Sequence, residues 1–250
     1  MSIELPIVLT ALVVGVLVGL TGVGGGAVMT PALILLFGVP TTVAIATDLV
    51  FATITKSVAA LLHSKSRSID WPVAKKIWSG SIPGTVIGIL LLVYFASEFV
   101  FAINLLLALL LLATATTMFM SSGLQNLKGN RASFIGGGLI GFAVATTSVG
   151  AGAMGMVLLR SLVGDENPKK LVGTDIVHAI PIAMIAGASY FIAGFFDPVL
   201  LMNLLVGSLP GAIFGSLIVS KVNAFYLRKL VAATLVIAAV GVALKAVGLI

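Results

Sequence analysis

The fold of this chain is decided by the stretch Leu20-Thr21-Gly22-Val23-Gly24-Gly25-Gly26-Ala27-Val28-Met29-Thr30-Pro31, a glycine cluster inside an apolar run from Pro6 to Gly38. A spanning helix needs about 20 residues, so this run is too long for one crossing and short for two. Glycine also disfavours helix near its middle. We predict two helical pieces that meet at a break within 20–31. Backbone outside a helix is tolerated at membrane depth only where protein or a water-filled cavity satisfies it, so the break predicts a site. Glycine used only for close helix packing is the alternative.

The same pattern returns 127 residues further along the chain, from Asp48 to Asp175. This single shift also places Thr47 on Thr174, without any gap. Further matches are Gly25 with Gly152, Met29 with Met156, Asp70 with Asp197, and 80–84 with 207–211. We interpret this as an internal duplication, which predicts a second broken segment at 146–156.

Composition indicates an integral membrane protein of the helical kind. Of 250 residues, 60% are hydrophobic and only 9% are charged, and the mean hydropathy is +1.24, outside the balance of soluble domains. Alternating strands of a barrel are missing. There is no cysteine, which excludes disulfides, thiolate metal sites and a cysteine nucleophile. The net charge of +6 indicates basic cytoplasmic loops and not nucleic-acid binding. The first residues lack a basic region, so no cleaved signal peptide is expected.

The predicted fold is an all-α polytopic membrane protein forming one transmembrane domain, 1–250. Two repeats, about 5–120 and about 132–250, flank a polar linker at 121–131, and each has about five helical segments. Besides the broken segments, the predicted helices cover about 41–63, 73–95, 98–120, 171–194, 198–220 and 227 to the C-terminus.

Five passes per half is an odd number, so the two repeats are predicted to be inverted relative to each other. The basic loops 65–76, 128–131, 169–170 and 221–229 then share one side, which the positive-inside rule makes cytoplasmic. Glu4, Glu98 and Asp197 fall on the other side. The predicted location is therefore the cell membrane, with many passes. Charge counting leaves open whether the short pieces 26–38 and 153–163 cross the bilayer or are re-entrant.

Asp48 and Asp175 are the strongest candidates for chemistry, because a carboxylate in hydrocarbon costs about 3 kcal/mol unless it is paired, solvated or protonated. Each lies on the helix that follows a broken segment. We predict a role in proton coupling; bracing of loose backbone N–H groups is the alternative. His178, three residues after Asp175, could pair with it and share that role. Lys56 lies about 12 Å along the helix from Asp48, which disfavours a salt bridge and favours snorkelling toward the basic side.

The short pieces that begin near Gly26 and Gly152 each present unpaired N–H groups and a positive dipole end, a combination that binds anions. Inversion would bring these two N-termini together near the bilayer midplane, where they could hold an anion without a buried lysine or arginine. The residues predicted to bind it are Thr21, Gly22, Gly24, Gly25, Gly26, Thr147, Ser148, Gly150 and Gly152.

The motif at 20–31, the basic loop after the helix of Asp48, the kink sequence at 80–84 and their recurrence resemble the sulfite exporter TauE/SafE family, which is grouped with the 4-toluene sulfonate uptake permeases. The second copy departs from the motif, with Val149, Ala151 and Ala153 at glycine positions. The resemblance implies a secondary transporter of sulfite or organosulfur anions such as sulfonates, coupled to protons.

Two other functions stay open. One is a passive anion channel, and the other is an intramembrane aspartyl protease, although the Gly-x-Gly-Asp sequence of such proteases is missing. No enzyme motif of the zinc, serine or P-loop kind occurs, so we expect no enzyme and no cofactor. The expected partners are a small anionic substrate and the lipid bilayer, not nucleic acid, and a homo-oligomer is compatible with the sequence.

Overall fold

The computed structural model of the chain describes residues 4–21, 25–65, 69–117, 130–150, 152–163, 168–218 and 222–249. For residues 21, 61–65, 96–97, 153, 163, 168–169, 224 and 228 it describes only the backbone. All regular secondary structure within these ranges is α-helical, as predicted. The helices are α1 Leu5–Thr21, α2 Gly26–Leu36, α3 Thr41–Lys65, α4 Trp71–Thr117, α5 Asn130–Thr147, α6 Ala153–Val163, α7 Pro168–Ile192, α8 Pro198–Ile218 and α9 Ala224–Ala246.

Six segments in the described part of the chain are long and apolar enough to cross a membrane, which makes this a multi-pass membrane protein. They are Thr41–Ala60, Trp71–Phe95, Glu98–Thr117, Lys170–Ile192, Pro198–Ile218 and Phe225–Ala246. Both predicted breaks are confirmed, between α1 and α2 and between α5 and α6.

Helix α4 is one element of 47 residues, where we expected two separate helices. It nevertheless contains two spans. Gly88 packs against Ala145, and Thr114 lines the same cavity as Ser148, whereas a straight helix would separate Gly88 from Thr114 by about 39 Å. The chain therefore reverses direction between the two spans. No glycine or proline lies at 96–98 to interrupt the helix locally.

Two reciprocal hydrogen bonds join residues that the shift of 127 positions makes equivalent. Thr174 Oγ1 accepts the N–H of Asp70 at 2.8 Å, and Thr47 Oγ1 accepts the N–H of Asp197 at 3.4 Å. Asp70 corresponds to Asp197 and Thr47 to Thr174 under the shift of 127 positions, so each bond is the counterpart of the other. Each aspartate also caps the next helix: Asp70 Oδ1 accepts the N–H of Val73, and Asp197 Oδ1 accepts two N–H groups at the start of α8. The residue that caps the start of α4 or α8 is thus itself bonded to a threonine of the other half.

Glycines bring the halves into backbone contact along two parallel helix pairs, α1 with α8 and α4 with α5. A Cβ on Gly207, Gly211 or Gly215 would meet the carbonyl oxygen of Val8, Leu12 or Val16, respectively. Gly80 and Gly84 meet Phe134 and Gly138 in the same way. The kink sequences at 80–84 and 207–211 therefore serve close helix packing, which small residues permit in membranes.

Helices α1 and α2 run in opposite directions, so that the outer ends of both lie at the same end of the helix bundle. The N–H of Glu4 donates to Asn203 in the first turns of α8 at 3.0 Å, so α1 begins beside the start of α8. Thr47 contacts Asp197, just before α8, so α3 also begins at that end. Since α2 has 11 residues and is about 16 Å long, it returns from the break to the side where α1 began.

Candidate functional site

The break of the first half touches the break of the second half at backbone level. A Cβ on Gly26, the first residue of α2, would meet the carbonyl oxygen of Ser148 and would lie 2.9 Å from its Oγ. Ser148 follows the last residue of α5. The glycine at position 26 is therefore required for the close approach of the two segments.

Ser148 has an unusual backbone conformation, with φ of 61°, and it is the one non-glycine residue with positive φ in the described ranges. Gly150 follows with φ of 118°. Thr147 supports this turn, since its Oγ1 donates to the carbonyl of Ala143 at 2.7 Å and accepts the N–H of Val149 at 3.1 Å. Backbone strain held in this way is typical of functional sites.

Asp48 joins three segments that meet at the breaks. It is fully buried, and its Oδ2 accepts hydrogen bonds from Thr30 Oγ1 of α2, at 3.0 Å, and from Ser148 Oγ. Its Oδ1 has no hydrogen-bond partner among the described residues. Both hydrogen-bond donors to this carboxylate are therefore side-chain hydroxyl groups. The alternative considered from the sequence was that it braces loose backbone N–H groups.

Asp175 occupies the corresponding place in the second half. It is 6% exposed, and a Cβ on Gly155, in the first turn of α6, would meet its Oδ1. That oxygen also finds no partner within the described part of the chain. Each aspartate thus lies against the first turn of the short helix of its own half, since Asp48 Oδ2 is 2.8 Å from the Cβ position of Gly26.

His178 bonds to the first half and not to Asp175. Its Nε2 is 3.0 Å from Ser81 Oγ of α4, and its backbone carbonyl accepts the indole N–H of Trp78 at 3.0 Å. The Nδ1 atom is buried without a described partner. The spacing suggested a pairing of His178 with Asp175, but no hydrogen bond joins them among the described side chains. Helix α4 packs against this face of α7 and offers the Ser81 hydroxyl instead.

A small cavity lies between the two breaks, with about 20 Å³ available to the centre of a water molecule, which is room for roughly one water. Lys56 reaches this cavity, whereas snorkelling toward the basic side was predicted. Lys56 interacts electrostatically with both Asp48 and Asp175 but forms no salt bridge with either in the described structure. The lining residues are Gly25, Gly26, Ala27, Leu49, Ala52, Lys56, Thr114, Val144, Ser148, Gly150, Gly152, Ala179 and Ala183.

Five of the nine predicted substrate-binding residues line this cavity: Gly25, Gly26, Ser148, Gly150 and Gly152. Thr147 lies behind it and supports the turn, while Gly22, Gly24 and the side chain of Thr21 lie outside the described residues. Thr30 and Thr114 were not predicted from the sequence, and Lys56 was predicted to snorkel and not to line the site. Thr30 could have been found as a polar residue within an otherwise apolar helix.

No group of three metal-ligating side chains occurs in the ranges that the structure describes. The absence of a cofactor remains an expectation from the sequence.

Comparison with known proteins identifies relatives over most of the chain. The profile of the family described as "Sulfite exporter TauE/SafE" matches residues 7–242. Probable membrane transporter protein YjnA of Bacillus subtilis (strain 168) is 35% identical over 225 residues, covering 84% of this chain and 88% of the relative. Probable membrane transporter protein YdhB of the same organism is 26% identical over 223 residues, with the same coverage. No solved structure matches the chain.

Proposed function

Because this chain belongs to the sulfite exporter TauE/SafE family of membrane transporters, we propose that it is a secondary transporter of small anions of the sulfite or sulfonate type, coupled to protons. The observation that carries this proposal is the cavity between the breaks, which is lined by both short-helix N-termini and by Lys56.

The anion would bind to backbone N–H groups and to Lys56. In α2, the carbonyl of Gly25 accepts the N–H groups of Val28 and Met29, and the N–H groups of Gly26 and Ala27 precede these bonds beside the cavity. In α6, the carbonyl of Gly152 accepts the N–H of Met156. First-turn N–H groups and the helix dipole attract anions. When protonated, Lys56 adds a positive charge to the site. The sequence suggested that the helix ends could hold the anion without a buried lysine.

Proton coupling follows from the charges around the cavity. Lys56 contributes one positive charge when protonated, and Asp48 and Asp175 each contribute one negative charge when ionised. Two ionised carboxylates would make the set net negative and repel an anion, whereas two neutral carboxylic acids leave it net positive. His178 bonds through Nε2 to Ser81 Oγ, and its share in proton coupling stays a prediction. Anion affinity therefore rises with proton uptake, and the anion and protons move together.

We further propose that transport uses inverted halves that open the site to alternate sides. The bonds of Asp70 with Thr174 and of Asp197 with Thr47 support this, because exchanging the two halves turns one bond into the other. The cavity has room for roughly one water, less than a sulfite ion with its four heavy atoms needs, so the site must widen to admit substrate. In this proposal the protein lies in the cell membrane with its basic loops cytoplasmic.

Proteoliposomes containing the purified chain test the transport proposal. We expect labelled sulfite to accumulate against its gradient when unlabelled sulfite is preloaded, because a carrier exchanges substrate while a passive channel does not. We also expect sulfite, thiosulfate or a sulfonate to raise the unfolding temperature, since a ligand that binds the folded state stabilises it. Protein-dependent flux without counterflow would establish a channel, and no anion flux with no thermal shift would refute the proposed function.

Orientation is tested separately with single cysteines at Ser66 and Gly194 in this cysteine-free chain. An impermeant thiol reagent applied to intact cells should label position 194 and not position 66. Labelling of both positions would contradict the inverted arrangement.

A further inference from the structure

A second cavity lies where the first turns of α4 and α5 meet, outside the transport site. It has a volume of about 600 Å³ and is lined by residues of both halves. The lining residues, which we call the α4–α5 basic pocket, are Lys75, Lys76, Ser79, Asn130, Arg131, Phe134 and Ile135.

The three cations of this pocket are not neutralised within the described structure. Lys75, Lys76 and Arg131 are exposed and form no salt bridge or hydrogen bond through their side chains with any described residue. Asp70 interacts electrostatically with Lys76, but its carboxylate is bonded to Lys170 Nζ at 2.9 Å. Among the described residues, the three positive charges of the pocket therefore have no ion-pair partner.

The other wall of the pocket is apolar and open. Phe134 is 52% exposed and Ile135 is 61% exposed, and Leu139 continues this face of α5 one turn further along the helix. Lys75 and Lys76 belong to the first turns of the span Trp71–Phe95, so the pocket opens at the edge of the apolar layer. Cations at the headgroup level above an exposed apolar helix face match a ligand with an anionic head and an apolar tail.

We propose that the α4–α5 basic pocket binds an anionic phospholipid, with its phosphate held by Lys75, Lys76 and Arg131 and its acyl chains against Phe134 and Ile135. Basic pockets between transmembrane helices are known to hold such headgroups. A free inorganic anion would use the cations but would leave the apolar face uncovered. Because α4 and α5 belong to different halves and pack through Gly80 and Gly84, the lipid would tie the two halves together at this interface.

The first test uses Ser79→Cys, which places one thiol in the pocket of a chain that has no cysteine. The matched control is Ser216→Cys on α8. Both serines are exposed and donate to the carbonyl three residues earlier at 2.7 Å. In delipidated detergent-purified protein, phosphatidylglycerol should slow thiol modification at position 79 but not at position 216, and phosphatidylcholine or inorganic phosphate should protect neither. Equal protection by phosphatidylcholine, full protection by inorganic phosphate alone, or no protection would overturn the proposal.

The second test counts bound lipid by native mass spectrometry of the otherwise unaltered chain and of charge variants. Each of Lys75→Gln, Lys76→Gln and Arg131→Gln should weaken phosphatidylglycerol binding about fivefold, as expected for one basic residue near an anionic lipid. Lys229→Gln, an exposed lysine at the start of α9, should leave it unchanged, and Lys75→Arg should retain it. Loss of binding in Lys229→Gln equal to that in the pocket variants would show general charge attraction and refute a defined site.

Discussion

Asp48 accepts a hydrogen bond from Ser148, although 100 residues separate them in the chain and they belong to different halves. Ser148 holds this position with φ of 61°, a conformation that costs a non-glycine residue about 1 kcal/mol or more. The contact joins a carboxylate at membrane depth to the strained turn before α6. It therefore connects a titratable group to the backbone that lines the cavity.

Ser148→Gly should be more stable than Ser148→Ala by about 1 kcal/mol, because both variants lose the hydroxyl donor and only glycine accepts positive φ without strain. Thermal unfolding of the two variants in the same detergent measures this difference. If Ser148→Ala is as stable as Ser148→Gly, the strain assigned to this turn is wrong.

Gly26→Ala should disrupt the site, whereas Gly25→Ala should be tolerated. A Cβ at position 26 would meet the Ser148 carbonyl and Asp48 Oδ2, whereas at position 25 its nearest neighbour is Phe51 Cε1 at 3.2 Å, a side-chain atom that can shift. We expect Gly26→Ala to fold less stably and to lose anion binding, as judged by unfolding temperature and by the thermal shift with sulfite. Comparable behaviour of the two variants would indicate that the segments do not meet as described.

Asp48→Asn should keep the fold but lose the dependence of transport on the proton gradient. Asparagine preserves the shape of the side chain and an oxygen that accepts the bonds from Thr30 and Ser148, but it does not titrate. Counterflow in proteoliposomes at several internal and external pH values measures the coupling. An unchanged pH profile in Asp48→Asn, combined with unfolding of Asp48→Ala, would assign the carboxylate to bracing alone.

Lys56→Met should reduce anion affinity at least tenfold, since a charge-assisted contact contributes about 1.5 kcal/mol or more. Lys56→Arg should keep part of that affinity because the charge remains. Sulfite titrations followed by thermal shift provide the measurement, and Lys229→Met is the control for loss of one positive charge elsewhere. If wild type binds sulfite and Lys56→Met binds it equally well, the lysine does not contact the substrate, although the transport proposal itself would stand.

Asp70→Asn should destabilise the protein at neutral pH more than Asp197→Asn does, although both residues cap a helix. Only Asp70 has a described ion pair, with Lys170 at 2.9 Å, and the hydrogen bond from Lys170 lowers the pKa of Asp70 below its ordinary value. A lowered pKa in the folded state stabilises above the unfolded pKa, near 3.9, and this contribution is lost as pH falls through the folded value. The two variants should therefore converge in unfolding temperature at acidic pH. A constant difference between them from pH 7 to pH 3 would exclude this ion pair as the cause.

The sequence alone was sufficient to predict the apolar spans, to place both breaks and to identify the residues that recur after 127 positions. These features follow from apolar length, glycine and proline placement and the cost of a carboxylate in hydrocarbon, which are properties of local stretches of chain. The prediction that Gly25, Gly26, Ser148, Gly150 and Gly152 belong together also came from this pattern, because the duplication places them at equivalent breaks. Their role in binding an anion stays a prediction.

Only the tertiary structure decided which side chains meet. Lys56 faces the cavity, His178 bonds to Ser81, and Asp48 bonds to Ser148; each arrangement depends on how a helix is rotated against its neighbours. The last two contacts join residues about 100 positions apart, and the rotation is set by glycine-to-backbone packing between the halves. An apolar helix in lipid carries the same hydropathy at any rotation. The sequence therefore identified polar groups at membrane depth, and helix packing determined their partners.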